Sequence, residues 1–144
     1  MHSSYAGSLK DRQEVIRMSI TTMRNEVKYF EDKLKYTVGP MELEEMIKSP
    51  ECVRVIDVRE TEDYDKGHVP GSINLPQDKW DTAEGLDFSK VNVMYCYTQQ
   101  CHLATKACLK FARKGFKVME LEGGWAAWKE FGLTVETGSM RKAA

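Results

Sequence analysis

The protein has 144 residues, a formal net charge of −1 at pH 7, and 42% hydrophobic and 30% charged residues. This composition excludes a disordered chain, a collagen and a disulfide-stapled scaffold, and the charge balance gives no support for a nucleic-acid or anionic-membrane binder. The apolar runs are too short to span a bilayer, and residues 1–9 lack the apolar core of a secretion signal. We therefore expect one cytoplasmic domain with an appendage and mostly reduced cysteines.

The first segment, residues 1–38, is predicted to form one long helix. Ser8 followed by Asp11 resembles a capping box at its start. Apolar residues then recur in steps of four and three, at Ile16, Ile20, Met23, Val27, Phe30 and Leu34. A 3.5-residue repeat suits a partner helix, so this segment either forms a homodimer or packs on its own domain as an ordinary amphipathic helix.

Residues 39–136 are predicted to form a domain of alternating strands and helices, followed by a tail at 137–144. The predicted strands are 53–57, 72–75, 91–95 and 117–121. The predicted helices are 41–48, 61–66, 77–83, 99–114 and 123–131. Alternation with short connections predicts an α/β fold whose mostly parallel sheet is covered by helices on both faces. In such sheets, functional sites lie beyond the C-terminal ends of the strands.

Cys96 is the residue that this rule selects. It directly follows the predicted buried strand 91–95 and precedes a loop that leads into a helix. Helix N-terminal amides, and loop amides if they converge, favour a thiolate and should lower the pKa of Cys96. From its position alone, Cys96 is either a nucleophile or a small buried apolar residue.

Four segments in order resemble the single-domain rhodanese family. They read VIDVRE at 55–60, GHVPGSINLP at 67–76, VMYC at 93–96 and LEGGWAAW at 121–128. The resemblance implies the rhodanese-like fold, with a five-stranded parallel sheet flanked by helices, and it puts Cys96 at the position of the family's catalytic cysteine. It also implies a sulfurtransferase, in which this cysteine takes a sulfane sulfur from a donor, holds it as a persulfide and passes it to a thiol acceptor. No metal or organic cofactor is implied.

The predicted active-site loop departs from the family pattern, Cys-x-x-Gly-x-Arg-Ser/Thr. It contains neither Gly nor Arg and is longer than the usual loop of the family. Its residues are Tyr97, Thr98, Gln99, Gln100, Cys101, His102 and Leu103. The missing Arg disfavours phosphatase chemistry, in which an arginine binds the oxyanion through two hydrogen bonds. It also leaves open whether thiosulfate is a donor. We expect an anion cradle made by main-chain amides, with His102 adding charge when protonated.

Cys101 lies five positions after Cys96. It either fills space or acts as a second thiol that resolves a persulfide or sulfenate through a Cys96–Cys101 disulfide. A zinc site that also uses His102 and Cys108 is disfavoured, because the spacings match no common closed site.

Two further residues are predicted to support the site. Asp57 ends a strand at the same sheet edge as Cys96 and is expected to accept hydrogen bonds from loop amides. Arg59 either lends positive potential to the site or pairs with a nearby carboxylate of Glu60, Glu62 or Asp63.

Three functions therefore stay open. The first is a sulfurtransferase that carries its sulfur on Cys96, and the second is a catalytically silent rhodanese-fold module for binding or regulation. The third is a thiol-redox protein that uses Cys96 and Cys101.

Overall fold

The structure is a computed structural model that describes residues 7–139. The chain divides into two compact units after Lys35. The second unit thus begins slightly before the boundary predicted at residue 39, because Thr37 already belongs to a strand of the sheet. The last five residues of the predicted tail, 140–144, lie outside the described range. Between residues 7 and 139, no helix is both long enough and apolar enough to cross a membrane.

The first unit is built on helix α1 (Leu9–Tyr36). Its predicted capping box is present: the Ser8 amide donates to Asp11 Oδ2 at 3.2 Å, and the Asp11 amide donates to Ser8 Oγ at 3.1 Å. None of its residues is buried. The six apolar residues of the 3.5-residue repeat have between 43% and 82% of their surface exposed.

The second unit contains a five-stranded parallel sheet, as predicted. The strands are β1 (Thr37–Val38), β2 (Val53–Asp57), β3 (Ile73–Asn74), β4 (Val91–Tyr95) and β5 (Lys117–Leu121). Their order across the sheet is β1-β5-β4-β2-β3, and every neighbouring pair is parallel. The sequence did not indicate β1, because two residues are too few to show a periodic pattern.

Helices cover both faces of this sheet. They are α2 (Pro40–Met46), α3 (Thr61–Lys66), a 3-10 helix (Gln77–Thr82), α4 (Leu103–Arg113) and α5 (Gly124–Glu130). Successive strand residues point to opposite faces, so Val93 joins one core cluster with Trp128, whereas Met94 joins another with Phe111. Burial on both faces explains the apolar character of the strand sequences.

The helix predicted over 99–114 begins only at Leu103, so the prediction was wrong over residues 99–102. The chain makes a turn there, in which the Cys101 amide donates to the Thr98 carbonyl at 3.2 Å. The first helical hydrogen bond joins the Lys106 amide to the His102 carbonyl at 2.9 Å. A long loop therefore separates β4 from α4, and Cys96 lies at its start.

Candidate active site

Helix α5 fixes the backbone of the loop that begins at Cys96. The Trp125 amide donates to the Cys96 carbonyl, and the Ala126 amide donates to the Tyr97 carbonyl, both at 2.9 Å. Gly124 makes this approach possible. It has a φ of +59°, and a Cβ atom there would lie only 2.8 Å from the Cys96 carbonyl oxygen.

Side chains anchor the loop on its other sides. The Tyr97 hydroxyl donates to Asp63 Oδ2 at 2.6 Å and accepts from the Glu60 amide at 3.1 Å. The Gln99 carboxamide oxygen accepts a hydrogen bond from the Gly123 amide. The loop is thereby held between the segment that precedes α3 and the segment that precedes α5.

The structure distributes the predicted loop residues over the surface and the interior. Tyr97, Cys101 and Leu103 are half-buried, and the exposed residues are Thr98, Gln99, Gln100 and His102. The neutral exposed side chains and His102 therefore define the solvent-facing surface beside the cysteines.

Cys96 lies at the end of β4 with only 2% of its surface exposed. Hydrogen bonds from the amides of Thr98 and Ala104 favour its thiolate form. However, the sulfur also lies 3.2 Å from the Cys101 carbonyl oxygen, a contact in which the thiol is the donor. The sulfur atom thus has both acceptor and donor contacts with the surrounding loop.

The expectation of a lowered Cys96 pKa was wrong. Burial, followed by the hydrogen bond that its thiol donates to the Cys101 side chain, raises the pKa of Cys96 to about 11. The amides of Thr98 and Ala104 act in the opposite direction and do not offset this effect. A strand-end cysteine that is fully packed loses the hydration that its thiolate needs, and sequence position does not reveal that loss.

Cys101 behaves in the opposite way. Burial acts to raise its pKa, but the hydrogen bond from the Cys96 thiol and those from the Leu103 and Tyr97 amides lower it below the ordinary value. Lys106 contributes in the same direction. The pKa values of the two neighbouring thiols are therefore shifted in opposite directions.

Asp57 and Arg59 form an ion pair with each other. Asp57 accepts hydrogen bonds from the Arg59 amide at 2.8 Å, from the Arg59 guanidinium at 2.7 Å and from the Tyr95 hydroxyl at 2.7 Å. Arg59 also donates to the Gly67 carbonyl at 2.6 Å, and its guanidinium carbon lies 4.6 Å from the ring centre of Trp125. Both members of the pair are buried.

This ion pair corrects the prediction for Arg59 and adds to that for Asp57. Asp57 accepts from one loop amide, that of Arg59, and also binds the Arg59 guanidinium and the Tyr95 hydroxyl. Arg59 binds Asp57 instead of a surface carboxylate, since two residues of extended chain bring their side chains together in the interior. The positive charge of Arg59 is therefore balanced by Asp57. Tyr95 is a supporting residue that the sequence reasoning missed. Its position directly before Cys96 is the signal that could have identified it.

The residues considered for zinc do not form a cluster of metal ligands, although Cys96 and Cys101 are in contact. Cys108 donates from its thiol to the Met119 carbonyl at 3.5 Å, and burial raises its pKa. Within the described part of the chain, no group of three or more His, Cys, Asp or Glu side chains has a geometry that could hold a metal ion.

Comparison with known proteins places this chain in a family. Residues 39–131 match the rhodanese-like domain. The chain is 34% identical over 88 residues to the HTH-type transcriptional regulator Rv0324 of Mycobacterium tuberculosis, a match that covers 60% of this chain and 39% of the regulator. It is 32% identical over 88 residues to the putative sulfurtransferase YtwF of Bacillus subtilis, a match that covers 60% of this chain and 84% of YtwF.

Solved structures show the same fold. The BH2092 protein from Bacillus halodurans superposes with a TM-score of 0.72 at 37% identity, over 79% of this chain and 85% of that protein. A thiosulfate sulfurtransferase from Pseudomonas aeruginosa superposes with a TM-score of 0.62 at 27% identity, over 72% of this chain and 20% of the enzyme. Because the family match extends over more than half of the sequence and the sheet has the expected topology, the chain belongs to the rhodanese-like domain family.

Proposed function

We propose that the protein is a sulfurtransferase that carries sulfane sulfur as a persulfide on Cys96 and delivers it to a thiol acceptor. The observation that carries this proposal is the pairing at the C-terminal edge of the sheet. There Cys96 directly follows β4, and its thiol donates to the Cys101 carbonyl oxygen at 3.2 Å. The relative named as a putative sulfurtransferase and the fold neighbour named as a thiosulfate sulfurtransferase support the reaction class.

Because the pKa of Cys96 is raised, its thiol must lose a proton before it can attack, and the neighbouring Cys101 can accept that proton. When a donor approaches, the Cys96 thiol passes its proton to the Cys101 thiolate, and Cys96 Sγ attacks the sulfane sulfur. The bond between that sulfur and the rest of the donor breaks, and the leaving group departs with the bonding electrons. The outer sulfur of the new persulfide carries a negative charge beside the main-chain amides.

The solvent-facing loop residues indicate which kind of sulfur donor the site can accept. Thr98, Gln99 and Gln100 are exposed and uncharged, and Arg59 is already neutralised by Asp57. We therefore expect a neutral or protein-borne donor to be used better than thiosulfate, whose two charges need a fixed cation.

A rapid-quench experiment tests the proposal. The protein is mixed with cysteine persulfide or with thiosulfate, quenched with iodoacetamide and mapped by peptide mass spectrometry. An alkylated persulfide is expected on Cys96 in the wild type and in the Cys108→Ser control, and not in Cys96→Ser. If Cys96→Ser gains as much sulfur as the wild type, the proposal is wrong.

One observation favours a second candidate, a binding or regulatory module without catalysis. Cys96 is almost fully buried and its pKa is raised, which are properties of a structural cysteine. A relative of this chain is named as a transcriptional regulator. No sulfur loading from either donor, together with alkylation of both thiols only above a pH of about 8.5, would establish this candidate instead.

A further inference from the structure

The sequence left Cys101 as either a space-filling residue or a second thiol, and the structure puts it in direct contact with Cys96. The Cys96 thiol donates to the Cys101 carbonyl oxygen at 3.2 Å, and each of the two side chains shifts the pKa of the other. The turn closed by the Cys101 amide and the Thr98 carbonyl brings the chain back over Cys96. The pair thus lies within one short loop.

We propose that Cys101 resolves the Cys96 persulfide by forming a Cys96–Cys101 disulfide, so that the sulfur leaves as hydrosulfide and a dithiol reductant restores the enzyme. This inference rests on the proposed function, because it needs the persulfide on Cys96. It adds a second fate for the persulfide: when no acceptor thiol takes the sulfur, a dithiol supplies the electrons for sulfide release.

The step is balanced in atoms and electrons. Cys101 Sγ attacks Cys96 Sγ, and the bond between Cys96 Sγ and the outer sulfur breaks. The outer sulfur leaves with the bonding pair, takes the proton that Cys101 received from Cys96 and departs as hydrosulfide. It is reduced to sulfide while Cys101 is oxidised to its half of the disulfide. A dithiol then reduces the disulfide to two thiols and becomes a disulfide itself.

The surroundings of Cys101 suit this role. Attack needs a thiolate, and the amides of Tyr97 and Leu103 together with Lys106 stabilise one there. Cys101 is half-buried whereas Cys96 is buried, so Cys101 lies nearer to solvent. The contact of the Cys96 thiol with the Cys101 carbonyl keeps the two residues together, so the proposed disulfide needs a movement of this loop alone.

The experiment loads the full chain with cysteine persulfide, removes the excess donor and follows two readouts without added thiol. These are released sulfide and intact protein mass. The wild type is expected to release about one sulfide per chain and to end with two hydrogen atoms fewer. Cys101→Ser is expected to keep one added sulfur atom and to release sulfide at least roughly tenfold more slowly. Cys108→Ser is the matched control and should resemble the wild type.

The outcomes distinguish failure of this inference from failure of the proposed sulfurtransferase function. If the wild type keeps its added sulfur and no disulfide forms, or if Cys101→Ser releases sulfide as fast as the wild type, then Cys101 does not resolve the persulfide. If neither protein gains sulfur nor forms a disulfide, the proposed function itself fails. Cys101→Ala is measured beside Cys101→Ser, with thermal unfolding of both, so that loss of folding is not mistaken for loss of resolution.

An independent observation concerns α1. Its exposed apolar repeat is symmetric about Asn25: when two copies run in opposite directions, every seam residue meets an apolar residue of the other copy. The resulting contacts are Ile16 with the partner's Leu34, Ile20 with the partner's Phe30, and Met23 with the partner's Val27.

The charges that flank the seam select this orientation. In an antiparallel pair Arg17 faces the partner's Glu31, which is attractive and occurs twice. Arg24 and Glu26 each face the same residue of the partner, which is repulsive and occurs once for each. In a parallel pair Arg12 would face the partner's Arg17, and Glu26 would face the partner's Glu31, both of which are repulsive. We infer that α1 pairs two copies of this chain as an antiparallel helical dimer.

Sedimentation of the full chain at low ionic strength tests this inference through one charge reversal. Arg17→Glu should weaken an antiparallel dimer, and the double variant Arg17→Glu/Glu31→Arg should restore it, although the Arg17–Glu14 ion pair within the helix stays broken. A monomeric wild type overturns the inference. A dimer that Arg17→Glu strengthens is parallel and overturns it as well.

Discussion

Replacing Gly124 with alanine should destabilise the domain and displace the loop that carries Cys96. The new Cβ would lie 2.8 Å from the Cys96 carbonyl oxygen and 3.1 Å from the Thr98 amide nitrogen. These atoms cannot simply move away, because hydrogen bonds from the amides of Trp125 and Ala126 hold the same stretch of backbone. The clash therefore acts on the main chain of the site and not on a flexible side chain.

The magnitude follows from two contributions. A left-handed backbone conformation costs an alanine about 1–2 kcal/mol. Overpacking against fixed atoms adds about 1–3 kcal/mol, so the free energy of unfolding should fall by about 2–5 kcal/mol. Gly132 is a matched control, because its φ is +67° and nothing lies within 4 Å of its Cβ position. Gly132→Ala should show only the conformational cost of about 1–2 kcal/mol.

Urea unfolding followed by circular dichroism measures both variants. Gly124→Ala should lose clearly more stability than Gly132→Ala, and Cys96 should react faster with iodoacetamide once its loop is displaced. Equal losses in the two variants would show that the close approach of α5 to the loop is not a tight contact. The role assigned to Gly124 would then be wrong.

Three further predictions concern the interior and the cysteine pair. Asp57→Asn leaves the buried Arg59 guanidinium without its counter-charge and should cost about 3–5 kcal/mol in urea unfolding. Burial raises the pKa of Tyr64 to about 12, so the unfolded chain releases this proton first. Stability should therefore fall as the pH rises from about 10 to 12, and it should fall less in Tyr64→Phe. Iodoacetamide should modify Cys101 at a lower pH than Cys96, as read by peptide mapping, because their pKa values are shifted in opposite directions.

Each of these predictions has a control in the chain. Asp81→Asn removes an exposed carboxylate that pairs with Lys110 and should have little effect on unfolding. The exposed Tyr29 replaced by Phe should leave the alkaline loss of stability unchanged. Exposed Cys52 serves as the internal reference for alkylation of a surface thiol. Equal effects of Asp57→Asn and Asp81→Asn, an unchanged alkaline profile in Tyr64→Phe, or earlier modification of Cys96 than of Cys101 would each contradict the corresponding argument.

Local patterns in the sequence were enough for the architecture. The β-branched run at β2 and the apolar run at β4 are buried on both faces, and such runs form strands of a covered parallel sheet whatever their neighbours are. Ser8 and Asp11 formed their capping box because both partners lie within one helical turn. The position of Cys96 at the end of β4 followed in the same way, since a strand fixes where its next residue lies.

The chemistry of the site depended on contacts that no local pattern contains. The pKa of Cys96 is set by how completely the core and loop cover it, and Arg59 found Asp57 because both were buried together. Gly124, which lies far along the chain, decides how closely α5 approaches Cys96. Sequence alone thus determined four of the five strands, most of the helical segments and the cysteine at the edge of the sheet. Only the tertiary structure decided in which direction the pKa of each thiol is shifted, because desolvation and hydrogen bonding act through space between segments that the sequence does not place in contact.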